Sequence, residues 1–217
     1  MTSDSKWSRP GAAASHDQVV SERAFESSPP GGTLTGQLLV ASTKLGDPNF
    51  ERAVVLLLDH GDDGALGVVL NRPTPVPVSE ILEPWTDLAR RAPPDVVFRG
   101  GPVSPDAVIG LARAASSQGV VGAPWRAVVA SVGTVDLAVA PESQPVELGG
   151  VRLFSGYAGW ATDQLEAELA EGAWFVLDAV AADVFCTDAD RLWHDVMRRQ
   201  GGELSLLATF PSHPSLN

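Results

Sequence analysis

Two runs of mainly aliphatic residues, Ala53-Val54-Val55-Leu56-Leu57-Leu58-Asp59-His60 and Ala65-Leu66-Gly67-Val68-Val69-Leu70-Asn71, enclose the cluster Gly61-Asp62-Asp63-Gly64. Each run has the length and composition of a strand, and Gly and Asp accept the backbone angles that a tight reversal demands. The pair therefore predicts a β-hairpin. No other stretch limits the fold as tightly. The second strand stops at Asn71-Arg72-Pro73, since proline cannot donate to a ladder and biases its predecessor away from helix.

Shorter elements follow from the same rules. Gln37 to Ala41 reads as a buried strand, and Leu45-Gly46-Asp47-Pro48-Asn49-Phe50 as the loop that follows it. Val78 to Leu82 predicts a short helix capped by Ser79 and ended or bent by Pro84. Strands are expected at Asp95 to Arg99, at Ala107 to Ala112, at Ala127 to Val132 and at Val151 to Ser155, with Gly119, Gly122 and Pro124 separating the second from the third. Val151 to Ser155 should end in the glycine turn Gly156-Tyr157-Ala158-Gly159-Trp160. Thr162 to Glu171 reads as a helix stopped by Gly172, and Ala173 to Leu177 as a strand. Thr187 then caps a last helix, in which Leu192, Trp193, Val196 and Met197 share one face and Gly201 ends the run. With no repeat and no internal linker, residues 33–217 predict one mixed α/β domain. Residues 1–32 read as a disordered polar tail, a short helix near Gln18 to Phe25 being the alternative.

Charge narrows the partners. The 217 residues hold 15 basic and 27 acidic side chains, a formal net charge of −12. This opposes general binding to nucleic acid or to an anionic membrane, because both require Lys and Arg in excess. The excess is uneven: residues 141–217 carry 12 acids against 4 bases, which is −8 of the total. An anion site belongs in the earlier two thirds. Cys186 has no partner for a disulfide. No run approaches the ~20 apolar residues of a membrane span, and the polar first thirty residues do not suit a secretory signal, so a cytoplasmic protein is expected.

Five ordered motifs resemble a known family. Gly36-Gln37-Leu38-Leu39-Val40-Ala41, Leu45 to Phe50 with its hairpin, Gly67-Val68-Val69-Leu70-Asn71-Arg72-Pro73, Arg99-Gly100-Gly101-Pro102-Val103, and Gly156 to Trp160 with Gln164-Leu165-Glu166 are similar to the signatures of the AlgH/YqgE-type bacterial proteins. The resemblance spans roughly residues 34–200. It implies an α/β fold of coiled mixed sheets packed against helices. Family members are labelled transcriptional regulators, and the family offers no established catalytic residue to carry over. This chain departs from the pattern at Thr43 and Lys44, often Pro and Gly in the family. It departs again at Ala161-Thr162-Asp163, where a further glycine-rich stretch is usual. Asp163 at a helix start would repel a phosphate, which argues against a nucleotide cradle there.

Several residues could carry chemistry. Arg99 before Gly100-Gly101 can hold a carboxylate through two donors, or close a strand-end salt bridge. Asn71 and Arg72 form a polar strand end, Asp47 and Asn49 a polar loop, and the N–H groups of Gly156, Tyr157, Gly159 and Trp160 a potential anion nest, unless small residues serve only geometry there. Asp59, His60, Asp62 and Asp63 match no metal-loop order, so no metal and no cofactor are expected. Cys186 and His194 could form a nucleophile and base only if folding joined them, and a core cysteine is the expectation. The sequence thus favours a non-catalytic binding or regulatory protein with a small anionic ligand or a protein partner near Arg72, Arg99 and the glycines. The alternative is a hydrolase acting on a small anionic substrate at the same place. Direct DNA binding is disfavoured by charge.

Overall fold

The computed structural model describes residues 33–116 and 125–208. The expected tail over residues 1–32, the separators Gly119, Gly122 and Pro124, and residues 209–217 lie outside these.

Ten strands form one curled sheet in the order β10-β1-β2-β3-β9-β6-β8-β7, with β4 and β5 attached beside β9. β1 (Gln37–Ala41) lies between β10 (Trp174–Asp178) and β2 (Val54–Gly61). The expected hairpin is present: β2 pairs antiparallel with β3 (Gly64–Val69), and Gly61 faces Gly64 across the turn. β4 (Pro73–Pro77) pairs with β5 (Val96–Arg99), and β5 runs parallel to β9 (Leu148–Trp160). β9 also pairs with β6 (Val103–Ala114), which β8 (Val132–Val135) and β7 (Arg126–Val129) extend.

Helices cover both faces. α1 (Val78–Ile81) and α2 (Thr86–Arg90) flank a 3₁₀ turn at Glu83–Trp85 that contains Pro84. α3 (Gln164–Ala170) lies between β9 and β10. α4 (Ala181–Val184), α5 (Leu192–Gln200) and α6 (Gly202–Leu207) close the chain. Period-two alternation sorts β1 cleanly: Leu38 and Val40 enter the core under Leu192, Trp193, Val196 and Met197 of α5, while Leu39 and Ala41 enter the opposite core with Leu165 of α3. A third core packs Trp85, Leu88 and Ala89 against Ala112, Val151 and Leu153. Each fully buried aliphatic side chain contributes about 1.5–3 kcal/mol. The two-sided cover explains the near-continuous apolar runs of β1 and β2.

Four expectations need correction. Ala127 to Val132 is not one strand but β7, a reversal at Ala130-Ser131, and β8, with Ala130 at φ 48°. Gly156 to Trp160 is not a turn into a helix, because β9 runs on to Trp160 and pairs Gly67, Leu66 and Ala65 with Ala158, Gly159 and Trp160. Ser79 does not cap α1, whose cap position is Pro77 with no side-chain bond. Thr187 does not cap the last long helix either. A 3₁₀ turn at Ala189–Arg191 leads directly into α5, and Gly201 ends α5 at φ 71° as expected.

Candidate functional site

The two glycine motifs meet, although some fifty residues of chain separate them. A Cβ on Gly101 would fall 2.1 Å from the carbonyl carbon of Tyr157, and one on Gly100 would fall 2.2 Å from the Gly156 oxygen. Gly156 itself adopts φ 67° with Gly101 and Val103 carbonyls against it. Only glycine permits backbones to cross so closely. The Gly100 N–H donates to Ser155 O, and its carbonyl accepts from Val69 N, both at 2.8 Å. The backbone around Gly100, Gly101, Gly156, Tyr157 and Gly159 is thus woven into the sheet rather than arranged as a nest at a helix start. Trp160 joins Phe50 and Trp174 in an aromatic trio, and its indole donates to Glu168 at 2.9 Å.

Asp47 and Asn49 satisfy each other. The Asp47 carboxylate accepts from the Asn49 backbone N–H at 2.8 Å and from its amide at 3.0 Å. This turn delivers Phe50 into the trio and leaves the next two residues, Glu51 and Arg52, at the rim of a cleft.

That cleft, of about 230 Å³, opens where the start of β2, the end of β3 and α5 converge. Asn71, buried, fixes its floor: the side-chain oxygen accepts from Val54 N at 3.0 Å, and the amide donates to Arg52 O at 2.8 Å. Arg72 donates to Asn71 O at 3.1 Å and to Glu51 O. Burial pushes its pKa down from the ordinary guanidinium range; Glu51 and Asp190 oppose that shift, and Arg99 adds to it. Arg99 is exposed, its backbone N–H bonds Arg72 O at 2.8 Å, and its side chain makes no hydrogen bond or ion pair among the described residues. The two arginines are therefore neighbours through their backbones, and the Arg99 charge acts on Arg72 from beside the cleft, whose lining holds Arg72 and not Arg99.

Sequence reasoning missed the opposite wall. Trp193, nearly fully buried, donates to Ala41 O at 2.9 Å, and the Arg52 guanidinium lies 5.0 Å from the centre of its ring. Arg52 holds φ 51°, in the left-handed region that non-glycine residues seldom adopt. The Nδ1–H of His194 donates to Ala208 O at 2.8 Å, so Nε2 keeps its lone pair and accepts from Arg52 Nη1 at 3.0 Å. Glu51, Arg52, Asp190, Trp193 and His194 are far from Asn71 and Arg72 in sequence, and no local signal joins them.

The remaining candidates are held elsewhere. His60 Nδ1 accepts from Leu34 N at 3.2 Å, which leaves Nε2–H to donate to Glu166 at 2.9 Å. Asp59 pairs with Arg126 at 3.2 Å. Cys186 donates its thiol to Asp188 O, and burial raises its pKa, so it lacks thiolate character. Asp163 stands at the N-cap of α3 with φ 60° and makes no capping bond.

Known proteins are similar to this chain in sequence and in fold. A UPF0301 protein of Streptomyces avermitilis is 56% identical over 187 residues, covering 85% of this chain and 96% of its own. A crystal structure from Corynebacterium diphtheriae matches with a TM-score of 0.73 at 30% identity, over 90% of this chain and all (100%) of that one. The solution structure of the AlgH protein from Pseudomonas aeruginosa matches at 0.60 and 28% identity, over 87% and 100%. The sequence profile of the AlgH-like family matches residues 38–205, from β1 into α6, and the chain belongs to that family.

Proposed function

We propose that this protein is a non-catalytic binding protein with a regulatory role in the cytoplasm, and that its cleft takes up a small anionic ligand or an acidic group of a protein partner. The observation that carries this reading is the pair Arg72 and Arg99, joined through their backbones: one guanidinium is partly desolvated in the cleft, the other is exposed beside it without a carboxylate partner among the described residues. An anion between them would relieve their repulsion and gain charge-assisted hydrogen bonds. His194 is engaged on both ring nitrogens, which holds it back from acting as a general base and supports the binding reading. No helix among the described residues is long and apolar enough to cross a membrane. With a net charge of −12, a regulatory effect would run through a bound partner rather than through DNA.

Calorimetric titration of the full chain with glutarate, a plain dicarboxylate, tests the site. Binding in the millimolar range or tighter is expected, with about a tenfold loss in Arg99→Ala, the equivalent of one charge-assisted contact. Absence of binding, or equal affinity in the Arg99→Ala variant, overturns the assignment.

A further inference from the structure

The cleft is not simply basic. Besides Arg72 and Arg52, the latter turned onto Trp193 and His194, its lining includes the carboxylate-bearing Glu51 and Asp190. A site shaped only for an anion would exclude carboxylates, since they repel the ligand at close range. A pair of ordinary surface salt bridges would instead bring those carboxylates onto the arginines. Neither arrangement is present. Among the described residues, neither side-chain carboxylate accepts a hydrogen bond or lies in an ion pair, and yet both act electrostatically on Arg72. Opposite charges thus border one small space without neutralising each other.

The size of that space adds a second restriction. About 230 Å³ falls below the ~300 Å³ at which pockets for drug-sized molecules begin, so the space suits only a small molecule. The apolar wall is Trp193, fixed by its own hydrogen bond to Ala41 O at 2.9 Å. Asn71 cannot turn to meet a ligand, because both ends of its amide are bound to backbone. Charge recognition therefore falls to the arginines and the carboxylates.

We propose that the cleft takes a small zwitterion of the free α-amino acid class, its carboxylate at Arg72 with support from Arg99, and its ammonium at Glu51 and Asp190. This rests on the anion-binding reading above and adds the second, cationic half of the ligand. Glu51 is exposed in the loop before β2, and Asp190 is exposed in the turn before α5. Neutralising them leaves the core untouched.

The full chain should be titrated calorimetrically with the twenty proteinogenic L-amino acids, with the deaminated acid of the best binder, and with glutarate. At least one amino acid is expected to bind at least tenfold more tightly than its deaminated acid. In the Glu51→Gln, Asp190→Asn double variant that amino acid should weaken about tenfold, while glutarate should tighten, because a repulsive charge has gone. A deaminated acid that binds as well as its amino acid overturns the zwitterion and leaves the anion reading standing. Binding of glutarate with no amino acid bound has the same meaning. If neither class binds, both readings fall. Unequal effects of the double variant on the two probes cannot come from a folding defect, which would weaken both.

Discussion

Arg152 of β9 holds its guanidinium 4.3 Å from the centre of the Phe98 ring on the parallel neighbour β5. It is among the most buried side chains, at 2% exposure, and reaches no carboxylate among the described residues. Backbone carbonyls take its terminal protons instead: Val184 at 2.8 Å, Cys186 at 3.0 Å, Pro93 at 2.9 Å and Ala92 at 3.4 Å. Burial lowers its pKa to about 10. One cation thereby ties the segment after α2 to the segment after α4.

Removing that cation should take the donor from four backbone carbonyls. Arg152→Met is expected to destabilise the fold by more than ~3 kcal/mol, and Arg152→Lys to recover only part of this, because one ammonium cannot span both segments. Urea midpoints of the three proteins check it. Equal midpoints for the wild type and Arg152→Met would contradict the role.

The glycine crossing gives a sharper contrast. Gly101→Ala places a methyl group 2.1 Å from the backbone of Tyr157, where nothing can yield cheaply, and should cost upwards of ~3 kcal/mol. Gly46→Ala meets nothing within 4 Å and should stay within about 0.5 kcal/mol. Thermal melts of the two variants should separate widely.

Glu168 joins two aromatic residues by accepting from Trp160 at 2.9 Å and Trp174 at 2.8 Å through one oxygen. Glu168→Ala leaves both indole N–H groups unpaired and should cost about 2–4 kcal/mol. Glu168→Gln keeps an amide oxygen and should cost less. A red shift of tryptophan emission in the alanine variant, with little shift in the glutamine variant, is the expected readout.

The acid side of the stability curve should carry a small contribution from Glu166. Its own backbone N–H and the His60 Nε2–H hold its pKa below the ordinary carboxylate range. A lowered folded pKa means stability that is fully present above the ordinary Glu value and is lost as pH falls through the folded one. Because the side chain is half exposed, the effect is modest. Urea midpoints from pH 6 to pH 3 should decline less steeply in Glu166→Gln than in the wild type; parallel curves would remove the Glu166 contribution.

How far these features could be read in advance depended on the range of their causes. The β2–β3 hairpin was legible because both strands and the Gly61 to Gly64 turn are contiguous. The β7–β8 reversal was not, since Ala130 and Ser131 carry no turn signature and Ala130 takes a left-handed angle that alanine rarely adopts. Glycines 156 and 159 suggested a turn, but the cause at Gly156 is a backbone crossing from Gly101, invisible along the chain. Arg152, set in Val151-Arg152-Leu153-Phe154, reads as an ordinary strand residue until its distant acceptors are known. At the cleft, Asn71 and Arg72 were identifiable from their place at a strand end, whereas Trp193 and His194 reach it only by the packing of α5.

The long strand β9 has a consequence for the order in which the chain can be made. It pairs with β3, β5 and β6, all synthesised before it, and spans them with one continuous backbone. Until residue 160 has left the ribosome, those three earlier strands have no central partner and present bare edges to any chain nearby. β1 waits longer still, for β10 at Trp174–Asp178. A nascent chain of this protein is therefore at its most adhesive just before β9 emerges, a stage at which a chaperone would have the most surface to hold.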